Sequence, residues 1–447
     1  MNKLNKSTLY ILLLSCFLSS QPKFNSNEAG LSEKRLKNLE ILMNGLVEEG
    51  KIAGFQSAIM RKGVLGHYST YGYADIDNKI LLKDDNIFRI YSMTKPIVSI
   101  ALMMLHEEGK FLLDDPLHKY IPEMKNLKVY KPIFADGIFE STLGSIWPLN
   151  KIRIKRKVKN PILILDLLRH TSGLGYGWGP NSYVDRKYKK AKILNPKNNK
   201  EFIKIISDLP LYHEPGSGWR YSVSTDVCGY LIEVLSGQKL DKFLSDRIFK
   251  PLGMVDTHFQ LPKNKVDRFS TNYINNVPKK YRWLLGKSFN PEGKLIAIDP
   301  IDSSQFARKV DFLSGGGGLL STTKDYLQFC QMILNKGVHN KIRFLSPKTI
   351  ELITQDHLKY LPYKGGPIKL PNNGTGFGLG FSITKDIAEK QLLSSAGSHG
   401  WGGAAGTFFI IDPKENLICI LMIQLMDFDD LKISERFQTM VYQSIID

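Results

Sequence analysis

Most of the chain alternates between helical and extended periods of apolar residues, and one stretch does neither. Ile97-Val98-Ser99-Ile100-Ala101-Leu102-Met103-Met104-Leu105 is almost unbroken apolar sequence. It is too long for a typical strand and has no polar face, so it predicts a helix buried on all sides. Pro96 fits only near the start of a helix, and Gly109 is a natural stop after Glu107-Glu108. The predicted helix runs from about Ser92 to near Gly109.

Upstream, Leu36, Leu39, Met43, Leu46 and Val47 recur at the spacing of an amphipathic helix over residues 31–49. Residues 54–61 and 64–73 read as two strands joined at Lys62-Gly63, and residues 21–30 as a polar, flexible tether. Downstream, Pro116, Pro122, Pro132 and Pro148 break the pattern, and residues 124–149 have no convincing period. Helices are expected over 161–168, 201–209, 226–235, 241–248, 323–334, 347–356 and 429–446, with Asp226 capping the third of these. Strand-like runs follow at 377–384, 406–411 and 417–425. The glycines Gly315 to Gly318 require the backbone to bend or to approach something closely. Strands at both ends with helices between them predict an α+β fold.

Of 447 residues, 43% are hydrophobic, enough for a sizeable core, but the formal net charge is +18. Much of the excess sits in Lys151-Ile152-Arg153-Ile154-Lys155-Arg156-Lys157-Val158-Lys159, an exposed-strand pattern, and in Arg186-Lys187-Tyr188-Lys189-Lys190-Ala191-Lys192. These runs fit either a solvated insertion or a contact with anionic lipid headgroups or cell-wall polymer. No nucleic-acid-binding motif accompanies them, so no nucleic-acid partner is expected. Residues 1–20 read as an export signal, with Lys3 and Lys6 ahead of an apolar segment. Leu13-Leu14-Ser15-Cys16 also resembles a lipoprotein signal, so an exported protein is expected, periplasmic or anchored to the membrane as a lipoprotein. Cys228, Cys330 and Cys419 lie in apolar runs and read as buried thiols.

Candidate chemistry lies at the head of the apolar helix. Ser92 and Lys95 are three residues apart, so they share one helical face at the N-terminal end. The free N–H groups and the helix dipole there favour a developing negative charge. A serine nucleophile must hand its proton to a base. A lysine at the mouth of an apolar helix loses hydration, which disfavours its charged form and makes it a candidate acceptor. A capping serine beside a solvated lysine would give the same spacing.

Ser92-Met93-Thr94-Lys95, Tyr221-Ser222-Val223 and Trp401-Gly402-Gly403, in that order, resemble the three signature elements of the serine β-lactamase and penicillin-binding protein family. The likeness is closest to its class C branch and to the esterases on that fold, the family VIII carboxylesterases. Leu167-Leu168-Arg169-His170-Thr171-Ser172-Gly173-Leu174 and residues 315–323 also look like that family. The resemblance implies a β-lactamase-like α+β fold, an antiparallel sheet flanked by helices plus a mainly helical insert. Residues 31–112 and 300–447 would form the α/β part and residues 113–299 the insert. It implies Ser92 as nucleophile, Lys95 and Tyr221 as a coupled base, and the N–H groups of Ser92 and Ala404 as the oxyanion hole. Trp401, Gly402, Gly403 and Val223 would line the substrate pocket. No cofactor and no metal are implied.

Two departures narrow the reading. Val223 stands where β-lactamases carry Asn, and Trp401 where they carry Lys. An indole removes the natural partner of a carboxylate, which favours a neutral ester over a β-lactam or a peptidoglycan-like substrate. Three functions remain open: an ester hydrolase, a β-lactamase or D-alanyl-D-alanine carboxypeptidase, and a surface lipoprotein whose site is unused. Other catalytic patterns fail. There is no G-x-S-x-G elbow, Gly286-Lys287-Ser288 lacks the upstream glycine of a phosphate loop, and His106-Glu107 has no second histidine at zincin spacing. His170 and His399 read as structural hydrogen-bonders.

Overall fold

The computed structural model describes residues 23–132, 153–179, 182–275, 294–359, 361, 373–426 and 431–447. Residues 1–20, expected to be an export signal, and most of the irregular stretch 124–149 lie outside the described residues.

Eight strands form the main sheet: β1 (Gly54–Arg61), β2 (Val64–Asp75), β3 (Ile80–Leu81), β4 (Thr375–Phe377), β5 (Ser382–Thr384), β6 (His399–Gly402), β7 (Phe408–Asp412) and β8 (Leu417–Met422). Their order is β4-β5-β6-β7-β8-β1-β2-β3, and every pairing is antiparallel. The two ends of the chain meet where β1 pairs with β8, with Gln56 opposite Met422 and Arg61 opposite Leu417. The reason lies in β8, whose six residues are all buried. A strand covered on both faces needs apolar residues at every position. Leu417, Cys419 and Leu421 enter one core, with Leu39 and Met43 of α1 (Glu33–Glu48) and Phe437 of the C-terminal helix Ile433–Tyr442. Ile418, Ile420 and Met422 enter the other.

That second core is built around α2 (Thr94–Glu107), which is buried from Thr94 to Leu105. It packs against α3 (Ser224–Ser236), and α4 (Thr323–Leu334) lies on β8. The same apolar cluster takes in Leu167, Phe202, Leu231 and Phe243 from the helical stretch 113–299. The sheet-bearing part and the helical part therefore share one core. This is the β-lactamase-like α+β architecture, an antiparallel sheet flanked by helices.

Several elements differ from expectation. The helix predicted from Ser92 begins with a 3-10 turn, Tyr91–Met93, before α2. Residues 377–384 form two strand ends, β4 and β5, because Gly380 turns the chain at a φ of 92°. The expected tether is not loose from Asn25 onward. Asn25 N–H bonds Leu65 O, Ala29 is fully buried, and the Arg61 guanidinium donates to the carbonyls of Ala29 and Gly30. Small residues fit there: a Cβ on Gly30 would collide with the side chains of Asp447 and Arg61. The two basic runs become the strand Arg153–Lys157, paired with Lys128–Pro132, and the helix Tyr183–Ala191. Tyr130 stacks on Tyr183 at 4.2 Å and joins these elements. The three cysteines are buried and free.

Arg89 fixes the segment that leads into Ser92. It is fully buried, with Nε 2.5 Å from Asp299 Oδ2, Nη1 2.5 Å from Ser270 O and Nη2 2.7 Å from Asp299 O. Its guanidinium lies 3.9 Å above the Phe269 ring. Breaking a buried ion pair on one side typically costs about 3–5 kcal/mol. Arg89→Met should lose that much in urea unfolding, whereas a loss below about 1 kcal/mol, the worth of a surface pair, would show the pair to be dispensable.

Candidate active site

The short strand Phe88–Arg89 and the 3-10 turn after it carry the chain into Ser92. Tyr91 sits at a φ of 39°, a left-handed conformation that costs a bulky residue energy. The surroundings hold it there. Ile90 N–H bonds Leu319 O at 3.2 Å, Tyr326 OH bonds Met93 O at 2.9 Å, and the Tyr91 ring meets Phe306 edge-on. One helical turn on, Lys95 is only 1% exposed.

The side chains converge on Ser92 Oγ. Lys95 Nζ donates to it at 3.2 Å and to Gly316 O at 2.5 Å. The Tyr221 hydroxyl lies 2.7 Å from it. Lys95 Nζ also lies over the Tyr221 ring, 4.5 Å from its centroid, and 5.4 Å from that of Tyr176. Trp401, from β6, donates its Nε1–H to the Tyr221 oxygen at 3.3 Å. The structure thus brings Ser92, Lys95, Tyr221 and Trp401 together from three distant parts of the chain.

The walls are aromatic. His170, Tyr176, Trp219 and Trp401 surround the Tyr221 ring at centroid distances of 5.0 to 6.4 Å. Phe377 packs edge-on to Trp401 at 5.3 Å. Trp178 stacks on Tyr176 at 4.0 Å yet remains 64% exposed, which puts it at the rim of this cluster.

The glycines after Trp401 bring backbone up to the turn that carries Ser92. A Cβ on Gly403 would fall 2.5 Å from Ile90 O, two residues before Ser92. Gly403 N–H bonds Thr407 O at 2.7 Å and closes the turn that exposes Ala404. Gly402 ends β6 beside it. Val223 differs from its expected role. It heads α3 with its side chain fully buried in the apolar core, and so offers no accessible surface to a ligand.

Neither histidine of interest reaches Ser92. His170 Nδ1 pairs with Ser222 Oγ at 3.2 Å, and burial, then the neighbouring Lys95, pushes the ring well below its usual range. His399 Nδ1 bonds Gly397 O, and burial lowers its pKa to about 4. Both are neutral near pH 7, as structural hydrogen-bonders are. Among the described residues no cluster of His, Cys, Asp and Glu could hold a metal ion.

Asp226 corrects a prediction. It lies inside the first turn of α3, and Val223 occupies the N-cap position without a side-chain bond. Asp226 is 2% exposed, and its Oδ1 accepts from Ser314 Oγ at 2.5 Å and from Gly316 N–H at 3.0 Å. An aspartate just ahead of an apolar run reads as a cap in sequence, and nothing local separates that from a buried acceptor. Tyr176 gave no signal either. The glycine run did: a Cβ at Gly315 would fall 2.5 Å from Thr225 O, so this loop must lie directly on α3.

Comparisons with known proteins agree with this architecture. The family model described as Beta-lactamase matches residues 39–438. An uncharacterized protein of Mycobacterium tuberculosis (strain CDC 1551 / Oshkosh) is 30% identical over 84% of this chain and 87% of its own length. Esterase EstB of Burkholderia gladioli is 28% identical over 86% of this chain and 89% of its own. Among solved structures, EstCE1, titled a hydrolase with promiscuous acyltransferase activity, superposes with a TM-score of 0.72 at 23% identity, over 92% of this chain and 99% of that one. The resemblance carried by the three sequence elements therefore holds, and the chain belongs to the β-lactamase family of serine hydrolases.

Proposed function

We propose that this protein is a carboxylesterase that cleaves neutral esters through an acyl-enzyme on Ser92. The observation that carries the reading is the convergence of Lys95 and Tyr221 on one serine oxygen, at 3.2 and 2.7 Å. A serine hydroxyl becomes a nucleophile only with such an acceptor in reach. The name of Esterase EstB points the same way.

In this reaction Ser92 Oγ attacks the acyl carbonyl while its proton passes to the Tyr221 oxygen. Lys95, over the Tyr221 ring and bonded to Ser92 Oγ, balances the negative charge that Tyr221 carries as a phenolate before it takes this proton. The carbonyl oxygen takes up the negative charge of the tetrahedral intermediate, facing the N–H groups of Ser92 and Ala404. A donor placed there is worth on the order of 3 kcal/mol in the transition state. Tyr221 then returns the proton to the departing alkoxide, and the alcohol leaves. Water repeats the sequence on the acyl-enzyme, which frees the acid and restores Ser92.

Trp401 supports the choice of substrate. At the position where the resemblance implies a lysine, an indole N–H donates to the Tyr221 oxygen at 3.3 Å. This donor serves the base without presenting a cation to a substrate carboxylate. The aromatic walls offer apolar surface to an acyl or alcohol group.

Two measurements test this. The first is hydrolysis of p-nitrophenyl butyrate by the purified enzyme and by Ser92→Ala. Loss of a serine nucleophile costs about 10⁶-fold in kcat in a comparable hydrolase, so the variant should fall to background. Turnover retained in Ser92→Ala would refute the reading, and so would stoichiometric labelling of Ser92 by a penicillin with no ester turned over. The second is Trp401→Phe, which keeps the wall and removes the N–H. One such hydrogen bond is worth about 1 kcal/mol, so kcat should fall about 5- to 10-fold with little change in KM. A change confined to KM would mean that Trp401 only lines the pocket.

A further inference from the structure

Asp226 is a buried acid that the reaction as described does not use. Its Oδ1 accepts two hydrogen bonds from the loop at Ser314 and Gly316, while its Oδ2 is buried with no partner among the described residues. That second oxygen faces the active site: a Cβ on Gly316 would collide with Asp226 Oδ2 and fall 2.9 Å from the Tyr176 hydroxyl. Gly316 is also the residue whose carbonyl receives Lys95 Nζ at 2.5 Å. One residue, Gly316, therefore separates the carboxylate from the Lys95 amino group. Gly316 N–H is held by Asp226 and Gly316 C=O holds Lys95.

We infer that Asp226 is a positioning residue of the reaction, which fixes the Gly316 carbonyl for Lys95 and whose buried negative charge keeps Lys95 an ammonium, so that Tyr221 takes the Ser92 proton. The inference rests on the acyl-enzyme reading of Ser92. Its basis is Coulombic: a carboxylate buried in a low-dielectric site favours the charged form of a nearby amine. With Lys95 charged, the first proton to leave the Lys95–Tyr221 pair comes from the phenol.

The titratable groups that interact with Asp226 are Lys95 from α2, Tyr176 from the loop above and Cys228 from its own helix. Burial raises Asp226, and the Lys95 charge opposes that rise. Burial also raises Tyr176 and Cys228, and the Asp226 charge raises both further, so neither ionises in its place near neutral pH. His170, which feels Lys95 directly, is held neutral.

The test is the pH dependence of kcat/KM for p-nitrophenyl butyrate in the wild type, Asp226→Asn, Ser314→Ala and Ser92→Ala, with thermal melts to establish folding. Asn keeps an oxygen for Ser314 and Gly316 but removes the charge. An acid beside the pair makes its proton harder to lose, so the rising limb of the profile should move to lower pH in Asp226→Asn, by about one unit. The profiles should converge at the acid end, where wild-type Asp226 has itself taken up a proton. Ser314→Ala keeps the charge, and its limb should stay with the wild type even if its rate falls. Asp226→Ser serves the same purpose if the Asn variant does not fold. An unmoved limb in a folded, active variant lacking the carboxylate would overturn the inference, as would an equal shift in Ser314→Ala. Either result with an inactive Ser92→Ala removes this inference alone, whereas an active Ser92→Ala removes the Ser92 reading beneath it.

Discussion

An amino group buried at the head of an apolar helix is the constraint on which the site depends. Isolated, such a group would be costly to hide from water. Lys95 meets the cost with two oxygen acceptors, Ser92 Oγ and Gly316 O, and with the faces of Tyr221 and Tyr176. Each partner comes from a different segment, so satisfying Lys95 draws together the Ser92 turn, the Tyr221 loop, the Tyr176 loop and the glycine loop. The apolar helix behind it makes this possible. With Ile97, Val98, Ile100 and Ala101 fully buried, the first turn of α2 cannot move towards solvent.

The sheet supplies the remaining wall. β1 and β8 tie the chain's two ends together, and β6, two strands beyond β8, brings Trp401 and the Gly402–Gly403 backbone against the Ser92 turn. An indole there gives the Tyr221 oxygen a hydrogen bond. A cation at that position would attract carboxylate-bearing ligands, whereas Trp401 offers one N–H and an apolar face. Specificity of this kind comes as much from what is withheld as from what is offered.

Ser92 and Lys95 were legible as a pair because their signal is local: three-residue spacing and an apolar run that only a buried helix explains. Tyr221 and Trp401 lie 129 and 309 positions from Ser92, beyond the reach of any periodicity, and were reached through the family resemblance. Asp226 was misread because a capping aspartate and a buried acceptor look alike before the partner loop is placed. The strands Phe88–Arg89 and His399–Gly402 escaped notice because one has two residues and the other two glycines, and their pairing is set by tertiary context. The supposed tether failed for a related reason. Ala29 and Gly30 are small and look featureless, yet the buried Arg61 needs their carbonyls. The eight-stranded sheet could be guessed as a class, but not in its order, since β1 and β8 pair across nearly the whole chain.

The most direct test of the central claim is covalent. A neutral phosphonate ester that mimics the tetrahedral intermediate would be incubated with the enzyme, and the product examined by intact mass and peptide mapping. The account predicts one adduct per chain, on Ser92, formed far more slowly when Tyr221→Phe or Lys95→Met removes its partners. An adduct on another residue, or undiminished labelling in both variants, would contradict it.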